Sequence, residues 1–321
     1  MAGRPCKTAL HGRALSMRFA AYSLEDMPEG LQMTDENRER ILVPLDGSKN
    51  VENAIPMAGL MVNVFGWDIE FVQAQESSGE TEDATRAEVF QTYAMARGAK
   101  AGIPAERSRA TLRTGAAAST VLDAADEPGV RGIVLASHGR GGFRAAIFGS
   151  VADRIIRGAT VPVLVVPGVG GPTMEISQVL VSLDGSDVAE RALGPARQIA
   201  KTLGAKLALV RAYQAVPPAA AAYPYLPPDV PQQMGEAAAA YLKATAQPGE
   251  HSAIVQGDAA SGIVAAANDL DADLVVMSSH GKGFSRRFLV GSTTDRVMHE
   301  LHRPLLIIPP AREEPAQDSP A

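Results

Sequence analysis

The chain carries one glycine-containing motif twice, in the same order and with the same internal spacing. Residues 137–150 read SHGRGGFRAAIFGS, and residues 279–292 read SHGKGFSRRFLVGS. In both copies nine residues separate the first glycine from a closing Gly-Ser pair. An Asp-Gly-Ser triplet also occurs twice upstream, at residues 46–48 and 184–186, each time after an apolar run. Two motifs matched in order indicate a duplicated domain, so both halves are expected to fold in the same way.

Length and composition fit a protein of two ordinary domains. The 321 residues give each half roughly 140 residues, enough to bury a core of its own. Apolar residues make up 46% and charged residues 21% of the chain, as in ordinary globular proteins. The formal net charge of −6 argues against non-specific binding of DNA or RNA, so no nucleic-acid partner is expected.

Other bulk features favour the cytoplasm. Cys6 is the only cysteine, which excludes an intrachain disulfide and fits a reducing compartment. No run approaches the roughly 18 apolar residues of a membrane span, so no membrane association is expected. Residues 1–38 lack the apolar core of a signal peptide. We interpret them either as a flexible extension or as sequence upstream of a true start at Met33.

Strand and helix patterns alternate through both halves. Short runs of Val, Ile and Leu are typical of strands buried on both faces of a parallel sheet, and stretches with helical spacing separate them. This alternation predicts two tandem α/β domains, at residues 39–168 and 175–311, each with a doubly wound sheet. The predicted strands are 41–45, 69–74, 107–111, 133–136 and 163–166 in the first half, and 179–183, 206–212, 252–256, 273–277 and 305–308 in the second.

Two segments are predicted to lie outside regular structure. Residues 214–235 contain six prolines and are expected to form an exposed loop or lid rather than a helix. Residues 312–321 are polar and are expected to form a disordered tail.

The repeated motifs are expected to meet at one edge of each sheet. Ligands of open α/β sheets bind outside the carboxyl ends of the strands, where the strand order reverses. Asp46 and Asp184 follow the first strand of their halves, and the Ser-His-Gly segments follow the fourth. In a sheet ordered 3-2-1-4-5 the first and fourth strands are neighbours. The sequence therefore predicts one ligand crevice in each half.

The glycine loops point to an anionic ligand. Glycine lets the backbone approach a ligand closely, and exposed amide N–H groups can hold phosphate oxygens. Ser150 and Ser292 open predicted helices whose positive ends favour an anion. The alternative is that each Gly-Ser pair merely caps a helix. The pairing of both motifs in both halves favours phosphate binding. Four basic residues lie on the same loops: Arg140, Arg144, Lys282 and Arg286.

Asp46 and Asp184 have two readings. Asp-Gly-Ser is good turn and capping chemistry by itself. A carboxylate beside an anion loop also suits a ribose hydroxyl, and we favour that role. Other nucleotide motifs are missing, because no P-loop sequence occurs and the Gly-x-Gly pairs lack the third glycine of a dinucleotide fingerprint.

His138 and His280, each beside a serine, suggest catalysis at first sight. Adjacent serine and histidine do not form a catalytic triad, and no Gly-x-Ser-x-Gly elbow occurs. We therefore expect the imidazoles to anchor their loops through hydrogen bonds, and we predict no catalytic residue. The remaining histidines show no metal-ligand spacing, so no dedicated metal site is predicted. Mg²⁺ is left open as a companion of a bound nucleotide.

These motifs resemble those of the universal stress protein family in its tandem form. ATP-binding members of that family carry Gly-x2-Gly-x9-Gly-Ser/Thr. Here the second and third elements stand in both halves, as Gly139 with Gly149-Ser150 and as Gly281 with Gly291-Ser292. Small residues, Ala136 and Ser278, replace the first glycine. The resemblance spans roughly residues 40–310.

The resemblance implies a five-stranded parallel sheet ordered 3-2-1-4-5 in each half. It also implies that the domains pair through their fifth strands, giving an intrachain pseudo-dimer, and that the protein dimerises further. Residues 161–166 and 304–308 are the apolar edge candidates for the first pairing. ATP, or AMP or ADP, is the implied ligand. The predicted nucleotide-binding residues are Pro44, Leu45, Asp46, Ala74, Ala136, His138, Gly139, Arg140, Gly142, Gly149, Ser150 and Val151 in the first half, and Ser182, Leu183, Asp184, Ala212, Ser278, His280, Gly281, Lys282, Gly291, Ser292 and Thr293 in the second.

Three functions remain open at this point. The leading one is a stress-response regulator that binds adenine nucleotide in each crevice, hydrolyses it slowly if at all, and acts on an unknown protein partner. The second is a slow ATPase or an adenylyl-transferring enzyme, although the usual sequence motifs of adenylating enzymes are missing. The third is an interaction scaffold that has lost nucleotide.

Overall fold

One continuous sheet runs through both halves of the molecule. A computed structural model describes residues 38–48, 52–76, 79–137, 149–168, 175–214, 229–280 and 290–310. The strands are β1 Arg40–Pro44, β2 Asp68–Gln75, β3 Ser108–Thr114, β4 Val130–Ala136, β5 Val163–Val166, β6 Gln178–Ser182, β7 Lys206–Tyr213, β8 His251–Gln256, β9 Leu274–Ser278 and β10 Leu305–Ile308.

Helices follow most of these strands. They are α1 Ala54–Phe65, α2 Glu80–Lys100, α3 Ala117–Ala125, α4 Ser150–Gly158, α5 Asp187–Glu190, α6 Leu193–Leu203, α7 Val230–Thr245, α8 Ala259–Asp269 and α9 Ser292–Glu300, with a short 3-10 turn at Ala105–Arg107. The strand–helix alternation predicted from the sequence is confirmed.

The strand order confirms the predicted architecture. The ten described strands are ordered β3-β2-β1-β4-β5-β10-β9-β6-β7-β8. Counted within its own half, each set of five therefore has the order 3-2-1-4-5. Strands within a half pair in parallel, whereas β5 and β10 pair antiparallel, with Leu306 opposite Leu164. The expected pairing of the two halves through their fifth strands is confirmed.

Two helical layers cover the sheet, and both cores extend across the halves. One core lies under α1, α2, α6 and α7, and it includes residues of both halves such as Ile55 and Ile199. The other lies under α3, α4, α8 and α9 and includes Ile155 and Val297. In the first layer α1 packs against α6 across the boundary between halves. Because apolar side chains are shared in this way, the halves are joined by burial as well as by the β5–β10 ladder.

Polar β3 is longer than its sequence indicates, and its surroundings explain why. This outer strand pairs only with β2, in register from Ser108 opposite Ile69 to Thr114 opposite Gln75. Arg109 and Arg113 on one of its faces bond to the buried carboxylate of Glu70 in β2. Ala110 and Leu112 on the other face pack against the core, so apolar and charged residues alternate along β3 and no continuous apolar run marks its full length.

The expectation of an irregular segment through residue 235 is wrong. Helix α7 begins at Val230 and includes Pro231 within its first turn. Proline is tolerated there because the first N–H groups of a helix have no partner inside the helix. Residues 215–228 of the predicted loop, the N-terminal extension through residue 37 and the tail from residue 311 lie outside the described residues.

Candidate functional site

The ends of the first and fourth strands lie side by side in each half. β1 pairs with β4, and β6 pairs with β9. Asp46 follows β1 close to Ser137, which follows β4, and Asp184 stands in the same relation to Ser279. The structure therefore brings the described parts of the two repeated motifs to the same edge of the sheet in each half, where the sequence predicts a ligand crevice.

The Asp-Gly-Ser triplets form the same tight turn twice. The Ser48 amide donates to Asp46 Oδ1 at 2.8 Å, and the Ser186 amide donates to Asp184 Oδ1 at 2.9 Å. In the second half the Ser186 hydroxyl also donates to Asp184 Oδ1, at 2.6 Å, and accepts from the Ala189 amide as the cap of α5. One carboxylate oxygen of each aspartate therefore stabilises the turn, as turn chemistry predicts.

The leucines at the crevice contribute backbone rather than side chain. Leu45 and Leu183 are 4% and 2% exposed and belong to the apolar core. Their amides continue the sheet ladder to the carbonyl oxygens of Val72 and Val210, at 2.8 and 2.9 Å. The preceding residues, Pro44 and Ser182, are partly buried, as are Ala74 and Ala212 near the ends of β2 and β7.

A backbone hydrogen bond joins the described residues on either side of each glycine loop. The Gly149 amide donates to the Ser137 carbonyl at 3.1 Å, and the Gly291 amide donates to the Ser279 carbonyl at 2.7 Å. A β-carbon on Gly291 would lie 3.1 Å from that same Ser279 oxygen. Glycine is favoured at residue 291 because a side chain there would press against the Ser279 backbone.

The helices that follow begin without a side-chain cap. Gly149 and Gly291 occupy the capping positions of α4 and α9 in extended conformation, and glycine has no side chain that could form a capping bond. Ser150 and Ser292 are the first helical residues, and both are exposed. Each Gly-Ser pair therefore does begin its helix as the capping alternative expects, with glycine rather than serine at the capping position. Uncapped N–H groups at the positive end of a helix are suited to holding an anion.

Ala136 and Ser278, which replace the first glycine of the motif, are directed into the protein. They are 7% and 4% exposed, and Ala136 belongs to the apolar core. The Ser278 hydroxyl donates to the Ile308 carbonyl at 3.3 Å, and the Thr294 hydroxyl donates to the Ser278 carbonyl at 3.0 Å. Because both side chains are accommodated by the fold, neither needs to occupy the crevice.

His280 makes a local contact. Its Nδ1 lies 3.0 Å from the Ser279 hydroxyl, and both side chains are buried. The Ser279 carbonyl also accepts the hydrogen bond from the Gly291 amide. The contact with His280 therefore helps to position the residue to which Gly291 is bonded. The arrangement fits the expected anchoring role.

Several predicted site residues fall outside the described part of the chain. They are His138, Gly139, Arg140, Gly142, Gly281 and Lys282. Val151 and Thr293 are described and follow the exposed serines at the starts of α4 and α9.

The family assignment rests on matches to both halves. The model of the universal stress protein family matches residues 37–167 and again residues 175–309. The chain belongs to the universal stress protein family. Its two matched regions make it a tandem-domain member.

Individual relatives agree with this assignment. A universal stress protein of Thermus aquaticus is 32% identical over 133 residues, which cover 40% of this chain and 96% of that protein. A universal stress protein of Mycobacterium tuberculosis is 31% identical over 183 residues, 54% of this chain and 60% of that protein. The crystal structure of a universal stress protein from Archaeoglobus fulgidus covers 86% of this chain and 99% of its own, with a TM-score of 0.63. At 20% identity that likeness supports the fold alone.

This universal stress protein contains a second repeated constellation that sequence reasoning missed. Tyr93 on α2 donates its hydroxyl to Glu52 at 2.8 Å, and Tyr241 on α7 donates to Glu190 at the same distance. Each glutamate stands six residues after the turn aspartate of its half, a spacing that could have revealed the pair.

Each tyrosine ring also lies against an arginine guanidinium group. The Arg97 guanidinium lies 5.3 Å from the Tyr93 ring centre and pairs with Glu52 at 3.0 Å. The Arg211 guanidinium lies 4.7 Å from the Tyr241 ring centre. Burial, followed by the Glu190 bond, raises the pKa of Tyr241 to about 12.

Two further findings bear on the site. Within the described ranges, no group of three or more His, Cys, Asp or Glu side chains is placed to hold a metal ion. Among the helices that the structure describes, none is both long and apolar enough to cross a membrane.

Proposed function

We propose that this universal stress protein binds one adenine nucleotide in each crevice and acts as a regulator. The observation that carries the proposal is the pair of helix starts at Ser150 and Ser292, each with glycine at the capping position, that follow strands adjacent to those leading into the turns of Asp46 and Asp184. Phosphate oxygens would accept hydrogen bonds from the amides at the starts of α4 and α9. The sugar would lie toward the aspartate turns and the base toward Ala74 and Ala212, as the family resemblance implies.

The groups described at each site support a proposal of regulation rather than rapid chemistry. The described part of each crevice offers backbone amides, serine hydroxyls and one turn-forming carboxylate. Hydrolysis is therefore proposed to be slow or negligible, far below the roughly 1–1000 turnovers per second of typical enzymes. Nucleotide occupancy would instead change the surface offered to a protein partner, and Mg²⁺ would enter only with the nucleotide.

The test adds a negative charge where the phosphate is proposed to bind. An aspartate at the first position of a helix stabilises that helix but repels an anion bound there. We expect Ser150→Asp and Ser292→Asp each to reduce nucleotide from two per chain to one, and the double variant to none. Thermal unfolding should show an unchanged or raised midpoint in all three.

A matched control exists in the same half of the molecule. Helix α3 also begins without a side-chain cap, and its first residue, Ala117, is exposed but follows β3, two strands away from β1. Ala117→Asp should leave nucleotide content unchanged. The measurement is mass spectrometry of nucleotide released per chain, followed by titration with ATP. Absence of binding at millimolar ATP, or full binding by the double variant, would overturn the proposal.

A further inference from the structure

The last three residues of strands β2 and β7 differ in charge at one pair of equivalent positions, Gln73 and Arg211. When the two halves are aligned, Ile69 of β2 is equivalent to Leu207 of β7. Gln73 is then equivalent to Arg211. Arg211 stands next to Ala212, near the carboxyl end of β7. The second half therefore carries a cation beside its crevice where the first half carries a neutral amide.

Arg211 lies against the turn that borders the second crevice. A β-carbon on Gly185 would be 3.2 Å from the Arg211 guanidinium carbon and from both of its terminal nitrogens. Gly185 has φ of 81°, which favours glycine, and it sits between Asp184 and Ser186 of the turn. The turn thus leaves room for the guanidinium group immediately beside the crevice.

The guanidinium group is held by an aromatic ring rather than by a carboxylate. It lies over Tyr241, and the Tyr241 hydroxyl is in turn held by Glu190. Within the described residues Arg211 has no carboxylate within ion-pair distance, whereas Arg97 of the first half is paired with Glu52 at 3.0 Å. Stacking orients the planar fork of an arginine and leaves its N–H groups able to bind an anion. Asp184, the nearest carboxylate in sequence, directs Oδ1 toward Ser186.

The distance between Arg211 and the start of α9 determines how long a ligand must be to contact both. Arg211 belongs to the face of the sheet under α7, whereas Ser292 opens a helix on the opposite face. β9, after which α9 begins, is two strands from β7 in the sheet, a separation of about 10 Å at the usual strand spacing of roughly 4.8 Å. A ligand that spans the crevice would meet the start of α9 at one end and Arg211 at the other.

We propose that Arg211 gives the second crevice a preference for nucleotides that carry a second phosphate on the ribose. This inference rests on the proposed function, because it needs the 5′-phosphate to bind at the start of α9. The ribose phosphate accepts hydrogen bonds from the Arg211 guanidinium group, whose planar fork matches phosphate oxygens. The first crevice, with Gln73, lacks this preference.

The experiment compares nucleotides that differ by one phosphate. AMP, adenosine 2′,5′-bisphosphate and adenosine 3′,5′-bisphosphate are titrated into the full chain by calorimetry at fixed ionic strength. The titrations are made in the Ser150→Asp variant, in which binding to the first crevice is expected to be lost, so that they report binding to the second crevice alone. At least one bisphosphate is expected to bind about tenfold more tightly than AMP, a factor typical of a charge-assisted bond pair.

Variants then assign the preference to Arg211. Arg211→Gln, which installs the residue of the first half, should remove the preference and leave AMP affinity within about twofold. Arg97→Gln is the matched control, since that arginine is also stacked on a tyrosine, and it should leave the preference unchanged. If Arg211→Gln fails to fold, Arg211→Lys keeps the charge without the fork and should retain only part of the preference.

The outcomes separate this inference from the function on which it rests. Binding of AMP without any preference for a bisphosphate, or an equal loss for both in Arg211→Gln, overturns the role of Arg211 alone. Failure of the wild-type chain to bind AMP, ATP or either bisphosphate overturns both proposals. A different result would be that inorganic phosphate binds at Arg211 as tightly as the bisphosphate does. That result would show a simple anion site and would contradict the nucleotide preference.

Discussion

Arg157, in the last turn of the first Gly-Ser helix, bonds to Asp295 in the first turn of the equivalent helix in the other half. The same guanidinium group also bonds to Asp153 on its own helix, at 2.9 Å. The helices that begin at the two crevices are therefore joined by a charged contact across the pseudo-dimer.

The strength of this contact is open to a double-mutant cycle. Both side chains are 34% exposed, so solvent screens the pair, and we expect Arg157→Ala and Asp295→Ala to show a coupling free energy of about 0.2–1 kcal/mol. The coupling should shrink as salt is raised. Urea denaturation of the four proteins at low and high NaCl measures it. A coupling that does not respond to salt would contradict an electrostatic contact.

The buried carboxylate of Glu70 predicts a larger effect. Its side chain is 1% exposed and bonds to Arg40 at 2.8 Å and to Arg109 and Arg113. Burial alone would raise the pKa of Glu70, but the hydrogen bonds from the arginines outweigh it and lower the pKa to about 2. Glu70→Gln removes the negative charge that the guanidinium groups of Arg40, Arg109 and Arg113 share. It should therefore lower the free energy of unfolding by roughly 3–5 kcal/mol at pH 7.

The pH dependence of that loss has a defined sign. Because folding lowers the pKa of Glu70 from 4.5, the stabilisation is complete above that value and is lost as pH falls toward 2. The difference in free energy of unfolding between wild type and Glu70→Gln, measured by urea denaturation, should therefore decrease as the pH is lowered across this interval. Glu127→Gln, at a carboxylate that is 36% exposed and shares two of these arginines, is the control and should cost less. Equal losses in both variants would count against the role of burial.

Tyr241 predicts a distinct alkaline titration. Burial and the bond to Glu190 raise its pKa to about 12, so the neutral hydroxyl is favoured by folding. Its stabilisation is present below the ordinary value of 10 and is lost as pH rises toward 12. Tyr241→Phe should lower the free energy of unfolding by about 1 kcal/mol and remove one high-pH step from the ultraviolet titration of the tyrosines. An unchanged ultraviolet titration would show that another tyrosine is responsible.

Asp184 offers a way to separate turn formation from ligand binding. Asparagine retains the side-chain oxygen that accepts from the Ser186 amide, so Asp184→Asn should change the free energy of unfolding by less than about 0.5 kcal/mol. If the carboxylate also holds the ribose, nucleotide affinity at the second site should fall about tenfold, the value of a charge-assisted bond. Calorimetric titration and thermal unfolding of the same preparations report the two effects. If Asp184→Asn binds nucleotide with unaltered affinity, the Asp184 carboxylate stabilises the turn and does not bind the ribose.

Asp184→Ala completes the comparison because it removes the acceptor as well as the charge. It should destabilise the protein by about 1 kcal/mol through loss of the turn. Asp46→Asn and Asp46→Ala test the same distinction in the first half, where the Ser48 amide is the donor.

The alternation of strand and helix patterns was sufficient to predict a doubly wound sheet, whereas the strand order 3-2-1-4-5 was implied by the family resemblance. Apolar runs such as those of β5 and β10 identify strands buried on both faces, and alternation with helices fixes their parallel arrangement. The family resemblance implied that the halves join through their fifth strands, and these apolar runs were the edge candidates for that pairing. Periodicity did not reveal where α7 begins, since proline is excluded from a helix interior and tolerated in its first turn.

The sequence by itself determined the duplication, the strand–helix order, and the placement of Asp46, Asp184 and both Gly-Ser pairs at strand ends and helix starts. Those properties depend on spacing along the chain. Only the tertiary structure decided that Ala136 and Ser278 face inward and that Arg211 lies on Tyr241 beside Gly185. Side-chain direction and charge pairing depend on segments far apart in the chain, whose approach no local pattern records.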